Sequence, residues 1–369
     1  MVKLFEFYEI KTVRNVVSYT IGTGGLANLS NLLATRKRQV AGPAVFFVDQ
    51  FFRTQPRIVN QLGIGAADKL IFVPTQDEPT TDYVDHLVHQ LNQMGIQSPT
   101  ALVGMGGGIT MDVAKAVANL LTNGGRAENY QGWDLVKVPG VYKIAIPTLS
   151  GTGAEATRTC VMTNTRSGLK LGMNSDFTLF DQIIMDPTLT ATVPRNQYFY
   201  TGMDAYIHCV EALAGFYRNA IGDAYSRETM NLCRQVFLEG DMMSPTNRER
   251  LMVTSYLGGC AIATSYVGLV HPLSAGLSVV LGLHHGVANC IVMRAMEEFY
   301  SKEFNEFWGM VELQNVDVPR GICGNLSDQQ YERLFKSTML YEKPLINALG
   351  EDYKKILTKE RVTEIFRAM

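Results

Sequence analysis

Four of the six histidines of this chain lie in its second half, where charged side chains are scarce. Asp204 and His208 are four residues apart, so on a helix they share one face and can bind the same ion. His271 and His285 lie in a stretch, residues 251–293, that contains no Asp, Glu, Lys or Arg. An unpaired ionisable group in such apolar surroundings is costly, and a metal ion would satisfy it.

One carboxylate and three imidazoles suit Zn²⁺ or Fe²⁺ and can leave a position open for a substrate oxygen. The alternative is that these histidines are hydrogen-bonded residues of the core or of a cleft. The concentration of four candidates in a region poor in charge favours the metal, but residue types alone leave both interpretations open. The remaining histidines, His86 and His89, lie off the apolar stripe of a predicted helix and are expected in solvent.

A glycine-rich turn follows a predicted strand in the first half. The run Val103–Gly108 ends that strand and leads into a predicted helix, Ile109–Leu121. Glycines let the backbone approach a phosphate closely, and the N–H groups at a helix start are donors with a favourable dipole. The run is not the G-x-G-x-x-G fingerprint and has no Walker lysine, so a simple tight turn is the alternative.

Two further features favour a dinucleotide. A second turn of small residues, Pro147–Glu155, follows the next predicted strand and could close over the other end of the ligand. Asp49 ends another predicted strand, where a carboxylate can accept hydrogen bonds from an adenosine ribose, and this role would favour NAD over NADP. An ordinary aspartate that starts a turn is the alternative.

The elements that must position these residues divide the chain in two. In the first half, short apolar runs alternate with helical patterns, as in βαβ units on a parallel sheet. The predicted strands are Ala44–Asp49, Leu70–Val73, Ala101–Met105 and Lys143–Pro147. Beyond Pro187 the strand signals fade, and the predicted helices are Asn196–Phe216, Ser226–Glu239, Asn247–Val267, Asp328–Leu340 and Glu351–Ala368. We expect an α/β dinucleotide-binding domain over residues 1–190 and an all-α metal-binding domain over residues 191–369.

Composition excludes several classes of protein. The chain has 369 residues, with 33 basic and 35 acidic side chains and a formal net charge of −2, so it has no electrostatic footprint for nucleic acid or anionic lipid. Its six cysteines form no C-x-x-C pair, which fits a reducing, cytoplasmic compartment. The N-terminus lacks the uninterrupted apolar region of a secretory signal.

The charge-free stretch also allows a membrane helix as an alternative. Several glycines and the pair His271–Pro272 break it into pieces shorter than the roughly 20 apolar residues that a span requires. Buried helices around a site are therefore the favoured interpretation, and no membrane association is expected.

Five ordered blocks resemble the iron-containing (group III) alcohol dehydrogenases over nearly the whole chain. They begin at Gly104, Ile146, Asp186, Asp204 and His285, and read GMGGGITMDVAKA, IPTLSGTGAE, DPTLT, DAYIHCVE and HGVAN. The resemblance implies a Rossmann-like parallel-sheet domain followed by a helical metal-binding domain, the arrangement called dehydroquinate synthase-like. The implied metal ligands are Asp204, His208, His271 and His285.

The same resemblance implies a nicotinamide cofactor, NAD or NADP, bound mainly by the first half of the chain. Its pyrophosphate maps to Gly106, Gly107 and Gly108, and its adenosine end maps to Asp49. The further implied contacts are Asp112, Thr148, Thr152 and Lys170.

Two positions depart from the family pattern. Many members have a further histidine four residues after the position of His271, where this chain has Ala275. The serine that often follows the glycine triplet is Ile109 here. If the missing histidine serves proton transfer, His284 is the candidate that replaces it, and a retuned substrate pocket is implied.

Within the family, the segment Thr163–Asp181 and the short C-terminal domain are similar to the branch that oxidises the C8 hydroxyl of 3-deoxy-D-manno-octulosonate. The aldehyde formed there passes to a pyridoxal-phosphate aminotransferase, which makes an 8-amino sugar for lipopolysaccharide. Such an acidic sugar needs a cation for its carboxylate, and Arg158, Lys170 and Arg195 are the candidates. A plain surface charge is the alternative for each of them.

The resulting hypothesis is a cytoplasmic, metal-dependent oxidoreductase that converts a primary alcohol into an aldehyde with hydride transfer to NAD(P). Family members often form homodimers, and a homodimer is expected. The alternatives are an O₂-dependent oxidase of the same sugar acid, a dehydrogenase of a small alcohol or polyol, and an inactive metal- or nucleotide-binding protein. Four protein ligands leave few open positions for oxygen activation, and no flavin or haem signal is present, which disfavours the oxidase.

Overall fold

The computed structural model describes residues 13–369, which divide into two compact units. The sheet unit comprises residues 13–149 and 154–192, and the helical unit comprises residues 150–153 and 193–369. The segment 150–153 therefore groups with the helical unit, although the sequence analysis places it in the N-terminal domain. Residues 1–12, on which the expectation of no secretory signal depends, lie outside the described residues.

Parallel strands form the centre of the sheet unit. In chain order the strands are β1 Ser18–Ile21, β2 Ala44–Asp49, β3 Lys69–Val73, β4 Ala101–Gly106, β5 Gly132–Trp133, β6 Lys143–Pro147, β7 Thr159–Asn164, β8 Leu169–Asn174 and β9 Gln182–Met185. Among the described residues, six of them form an all-parallel sheet in the order β1-β9-β6-β4-β2-β3. The other three form a small sheet in the order β5-β8-β7. The expected α/β class with a parallel sheet is confirmed.

The four predicted strands are all present, with bounds that agree to within one residue. The first five residues of β2 are fully buried because helices cover both faces of such a sheet. The hairpin of β7 and β8 was not predicted, since polar residues interrupt the apolar pattern of its strands. The helices of this unit are α1 Leu29–Gln39, α2 Pro56–Val59, α3 Thr81–Gln93 and α4 Gly108–Asn123.

The order of the strands places a switch point between β2 and β4. From β2 the chain continues to β3 on one side of the sheet, and β4 then pairs with β2 on the other side. Ligands of open α/β sheets bind outside the carboxyl ends of the strands at such a point. Asp49 ends β2 and Gly106 ends β4, so both residues lie at this position.

Helices make up the other unit, apart from its segment 150–153. They are α5 Arg195–Ala214, α6 Ala220–Leu238, α7 Pro245–Ser265, α8 Val270–Leu281, α9 His285–Val292, α10 Ser301–Leu313, α11 Asp328–Met339, α12 Glu342–Leu349, α13 Tyr353–Ile356 and α14 Lys359–Arg367. The predicted single helix Glu351–Ala368 is wrong. Thr358 interrupts it, because its hydroxyl accepts a hydrogen bond from Arg361 N and starts α14 as an N-cap residue.

The charge-free stretch forms α7, α8 and α9, and many of its side chains are buried among the other helices of the unit. Helix α7 approaches α5 closely, since a Cβ added at Gly258 would lie 3.3 Å from Cβ of Ala205. Within residues 13–369, no single helix is both long and apolar enough to cross a membrane. Only α7 and α8 taken together pass that test of length and composition, and they are bent by 107°.

Candidate active site

One face of α5 carries three buried ionisable side chains. Asp204, His208 and Glu211 follow one another at spacings of four and three residues, so they project from the same side of the helix. Their exposed fractions are 0%, 2% and 1%. Such groups are almost never fully buried without partners, so this face must meet other polar groups inside the unit.

The partners come from the starts of two neighbouring helices. His271 is the second residue of α8, and His285 is the first residue of α9. The loop before α8 is fixed by the buried side chain of Asn347, whose amide donates to the carbonyl oxygens of Ser265 at 3.0 Å and Val267 at 2.9 Å. The loop that leads to His271 is thus held by a residue of α12, far away in sequence.

The three predicted imidazole ligands lie around the carboxylate of the fourth predicted ligand, Asp204. Nε2 of His208 lies 3.4 Å and Nε2 of His271 lies 3.3 Å from its Oδ1, while Nε2 of His285 lies 3.6 Å from its Oδ2. The rings of His208 and His271 are stacked, with centroids 4.7 Å apart. One ligand atom from each of Asp204, His208 and His271 lies within 4.8 Å of the other two, which is close enough to hold one ion.

The electrostatics of this cluster are strongly coupled. Burial opposes the charged form of Asp204, but His208, His285 and His271 outweigh it and hold the pKa of the carboxyl well below its ordinary value. Burial lowers the pKa of His208 to about 4, against the attraction of Asp204. Burial also opposes the charged form of His271, yet Glu211 and Asp204 together raise its pKa to about 10.

The donor set fits a divalent metal. Among the described residues, Oδ2 of Asp204 is buried without a hydrogen-bond partner, although a buried carboxylate oxygen normally has one. Imidazole nitrogens and carboxylate oxygens face one another at 3.3–3.6 Å, an arrangement that a cation between them would stabilise. One carboxylate with three imidazoles suits iron or zinc.

Two residues of this site, Glu211 and Asn289, end two of the sequence blocks that resemble the family, but the sequence analysis gives them no role. Glu211 contacts His271 through Nδ1, and Asn289 donates a hydrogen bond of 2.7 Å to Oδ1 of Asp204. A signal for both was present in the sequence. Glu211 is seven residues after Asp204 on a predicted helix, and Asn289 is four residues after His285, so each shares a face with a predicted ligand.

The residues around the departures from the family pattern are placed as follows. Ala275 lies one turn after His271 in α8 and is buried, so this position supplies no polar side chain. His284 is exposed and is the N-cap residue of α9, next to His285. Its role in proton transfer stays a prediction.

Arg195, at the start of α5, donates to the backbone and side-chain oxygens of Gln314 at 3.0 and 2.9 Å.

In the sheet unit, the predicted phosphate-binding turn lies at the carboxyl ends of adjacent strands. Gly107 is the N-cap residue of the 16-residue helix α4, and no side chain caps that helix start, so its first N–H groups are available to an anion. A Cβ added at Gly106 would lie 2.5 Å from Oγ1 of Thr110 and 3.1 Å from Cβ of Asp49. Only glycine fits there, and the backbone of the turn stays open to a ligand.

The other predicted cofactor residues have identifiable partners. Oδ1 of Asp49 accepts from Phe51 N at 2.9 Å and from the hydroxyl of Thr75 at 3.0 Å, and Thr148 N donates to the carbonyl of Gly106. Thr148 therefore joins Gly106 and Asp49 at the same sheet edge. Thr152 belongs to the helical unit.

Asp112 anchors the hairpin to α4, since its Oδ2 accepts from Val161 N at 2.9 Å. Burial raises the pKa of Asp112 to about 6, and Lys115 partly offsets this shift. Two of the three cations proposed for a substrate carboxylate, Lys170 and Arg158, form ion pairs within this unit. Lys170 lies 2.8 Å from Glu78, and Arg158 pairs with Asp134 and Asp176. Either cation would have to exchange a carboxylate of the chain for that of a substrate.

Comparison with known proteins agrees with this arrangement. The family model for iron-containing alcohol dehydrogenases matches residues 17–187, and the model for the C-terminal region of Fe-containing alcohol dehydrogenases matches residues 198–329. NAD-dependent methanol dehydrogenase from Bacillus methanolicus is 30% identical over 281 residues, which are 74% of this chain and 71% of that protein. The chain belongs to the iron-containing alcohol dehydrogenase family, which uses a divalent metal and NAD(H).

Two further relatives share a named activity. Sulfoacetaldehyde reductase from Bilophila wadsworthia is 31% identical over 238 residues, which are 63% of this chain and 60% of that protein. The match thus spans about three-fifths of the length of that relative. The sulfoacetaldehyde reductase of Bifidobacterium kashiwanohense, solved in complex with NAD⁺, superposes with a TM-score of 0.80 at 19% identity, over 97% of this chain and 98% of that one. This likeness confirms the fold.

Proposed function

We propose that this protein is a metal-dependent oxidoreductase that interconverts a primary alcohol and its aldehyde, with NAD(H) as the hydride carrier. The observation that carries the proposal is the convergence of three imidazole Nε2 atoms on the buried carboxylate of Asp204. The chemistry named for the relatives supports it, since methanol is a primary alcohol and sulfoacetaldehyde is an aldehyde.

In this proposal Asp204, His208, His271 and His285 hold the ion, and iron is the metal that the family name favours. A divalent ion bound there supplies Lewis acidity toward an oxygen of the substrate. Asn289 holds one oxygen of Asp204 by a hydrogen bond and leaves the other directed at His285. The burial of Asp204 and His208 excludes water from their side of the site.

The residues of the sheet unit bind and orient the dinucleotide. The N–H groups at the start of α4 bind the pyrophosphate, and the glycines at 106 and 107 let the turn pack closely against Thr110 and Leu149. The carboxylate of Asp49 accepts hydrogen bonds from the adenosine ribose and repels a 2′-phosphate, so NAD is the expected form. Thr148 and Asp112 complete the set of residues in this unit that we propose for the cofactor.

For the substrate we propose the C8 hydroxyl of 3-deoxy-D-manno-octulosonate, with the aldehyde consumed by a pyridoxal-phosphate aminotransferase in lipopolysaccharide biosynthesis. The support is the similarity of Thr163–Asp181, which covers the end of β7 and all of β8. Arg195 is the candidate cation of the helical unit for the sugar carboxylate. Its side chain is 45% exposed, and Asp241 lies 3.7 Å away.

The deciding experiment is an anaerobic assay of the Fe²⁺-loaded protein with NAD⁺, read as absorbance at 340 nm. Methanol, 1-propanol and 3-deoxy-D-manno-octulosonate are compared, with an amine donor and aminotransferase to remove the aldehyde. Reduction of NAD⁺ by any primary alcohol supports the general proposal, and reduction by the sugar acid alone supports the finer one. In a separate aerobic assay, iron-dependent oxygen uptake without nicotinamide would contradict NAD(H) as the hydride carrier and support an oxidase.

A further inference from the structure

Glu211 links the two helices that supply three of the proposed ligands. It belongs to α5, which carries Asp204 and His208, and its carboxylate reaches the start of α8, which carries His271. Its Oε1 accepts from the backbone N–H of Val270 at 2.6 Å and from that of His271 at 3.3 Å. These are orphan donors of a helix start, and α8 has no side-chain cap from its own N-cap residue.

The second oxygen of the same carboxylate has a different partner. Oε2 of Glu211 accepts from Nδ1 of the His271 ring, whose Nε2 is directed at Asp204. A proton on Nδ1 leaves the lone pair of Nε2 for a metal, and in metal sites a carboxylate commonly fixes the ligating histidine in this way. Both oxygens of Glu211 are thus occupied by donors of α8, and Glu211 itself is not a ligand.

We infer that Glu211 is the positioning residue of the metal centre, which holds His271 in the tautomer and orientation that bind the ion. This inference rests on the proposed function, because it concerns the same metal. Its physical basis is the number of acceptor oxygens in the side chain of residue 211. In the metal-bound protein, two backbone N–H groups and Nδ1–H of His271 point at the two oxygens of Glu211. Only a side chain with two acceptor oxygens can satisfy these donors.

The substitution Glu211→Gln separates this role from a structural one. Glutamine has one acceptor oxygen and one NH₂ group. In the metal-bound state its NH₂ group therefore points at an N–H donor of α8 in either orientation of the amide. In the metal-free state, His271 can carry its proton on Nε2 and accept from the glutamine through Nδ1. The substitution therefore penalises the metal-bound state and leaves the metal-free fold intact.

The test is a Co²⁺ titration of metal-free protein, followed by the visible absorption bands of the bound ion. We expect E211Q to weaken Co²⁺ binding by about 10- to 100-fold, the effect typical of a residue that orients a metal ligand. The circular dichroism spectrum of the metal-free protein should stay that of the wild type. E211D keeps two acceptor oxygens and should recover part of the affinity. The matched control is E306Q, which removes a carboxylate paired with Arg234 in the same unit and should bind Co²⁺ normally.

Each outcome has a separate meaning. Equal Co²⁺ affinity in E211Q and the wild type would overturn the inference and leave the proposed function standing. Loss of the wild-type circular dichroism spectrum in metal-free E211Q together with no recovery in E211D would also overturn it, in favour of a structural role. Wild-type protein that binds Co²⁺ but never reduces NAD⁺ would contradict the proposed function alone. Wild-type protein that binds no Co²⁺ would overturn both.

Discussion

The side-chain amide of Asn289 lies among the proposed ligand atoms of three other residues. Its Nδ2 donates a hydrogen bond of 2.7 Å to Oδ1 of Asp204 and lies 3.4 Å from Nε2 of His271 and 3.2 Å from Nε2 of His285. Asn289 is fully buried and sits one helical turn after His285 on α9. A single amide thus connects the carboxylate of α5 to the histidines of the two other helices.

Replacement of Asn289 by alanine is expected to weaken Co²⁺ binding by about 10-fold, because Asp204 loses the donor that orients it. Titration of metal-free protein, followed by visible absorption, measures the change. Asn305→Ala is the matched control, since the Asn305 amide donates only to the Ser301 carbonyl of its own helix. Comparable losses in the two variants would contradict the role of Asn289.

Replacement of a proposed ligand has a larger effect. His285→Ala removes one imidazole from the cluster, and we expect the dialysed protein to retain no metal and its turnover to drop to background. The metal content of purified protein and its near-ultraviolet circular dichroism are the measurements, since the fold should persist. His86→Ala, which removes an exposed histidine of α3, should change neither. Normal metal content in His285→Ala would remove this residue from the ligand set.

The charge of Asp49 is expected to select NAD over NADP. Asp49→Asn keeps an acceptor for Phe51 N and for the hydroxyl of Thr75, so the turn is preserved while the charge is lost. Affinity for NADP⁺ should rise by tenfold or more. The substitution removes the repulsion between Asp49 and the 2′-phosphate, which costs over about 1.4 kcal/mol. Dissociation constants of both cofactors, measured by fluorescence, give the ratio. An unchanged ratio would exclude Asp49 from the ribose site.

Gly106→Ala should damage the cofactor turn. The new methyl group would lie 2.6 Å from Cβ of Thr110, so the turn or the helix start must shift. We expect a loss of about 1–3 kcal/mol in the free energy of unfolding, as for other overpacked sites, together with weaker NAD⁺ binding. Gly309→Ala is the control, because a Cβ on that exposed helical glycine meets nothing within 4 Å and should be neutral or slightly stabilising. Equal stability of the two variants would argue against close packing at Gly106.

Lys143 makes the stability of the protein depend on pH. Burial lowers the pKa of this lysine to about 8, although Asp181 opposes the shift. Its contribution to stability is therefore present above its unfolded pKa of 10.5 and is lost as the pH falls through 8. At pH 7 the native state has to bury the charge.

Lys143→Met removes that charge, so it should raise the free energy of unfolding at pH 7 by on the order of 1–3 kcal/mol. The gain should shrink between pH 8 and 10.5, as shown by urea unfolding at several pH values. Lys137→Met, at an exposed lysine of the same unit, should give no pH-dependent difference. A gain in Lys143→Met that is constant with pH would show that burial does not shift this lysine.

Much of the fold could be predicted from the sequence because burial leaves a local pattern. The apolar run Ala44–Asp49 reports a strand covered on both faces, and Val84, Leu87 and Leu91 repeat at the period of a helix that packs on one side. The convergence of Asp204 and His208 could be predicted in the same way, since one helix face fixes both residues. His86 and His89, which lie off that stripe, are exposed as expected.

The parts that were missed depend on contacts between distant segments. The hairpin of β7 and β8 has no strong alternation of apolar side chains, and it is held partly by the contact of Asp112 with Val161 N. The contact of Glu211 with His271 spans 60 residues, and no local pattern reports where a helix start will meet a carboxylate. The break at Thr358 was missed because a capping threonine resembles any polar residue of an exposed helix face.

The hydrogen bonds from Asn347 to the loop before α8 affect when that loop can fold during translation. The carbonyl oxygens of Ser265 and Val267 accept hydrogen bonds from an amide that is encoded about eighty residues later. A ribosome-bound chain that has not reached residue 347 therefore has α5 with Asp204 and His208 but lacks these hydrogen bonds to the loop before α8. Residue 347 must therefore be translated before the loop that leads to the proposed ligand His271 can be held in place.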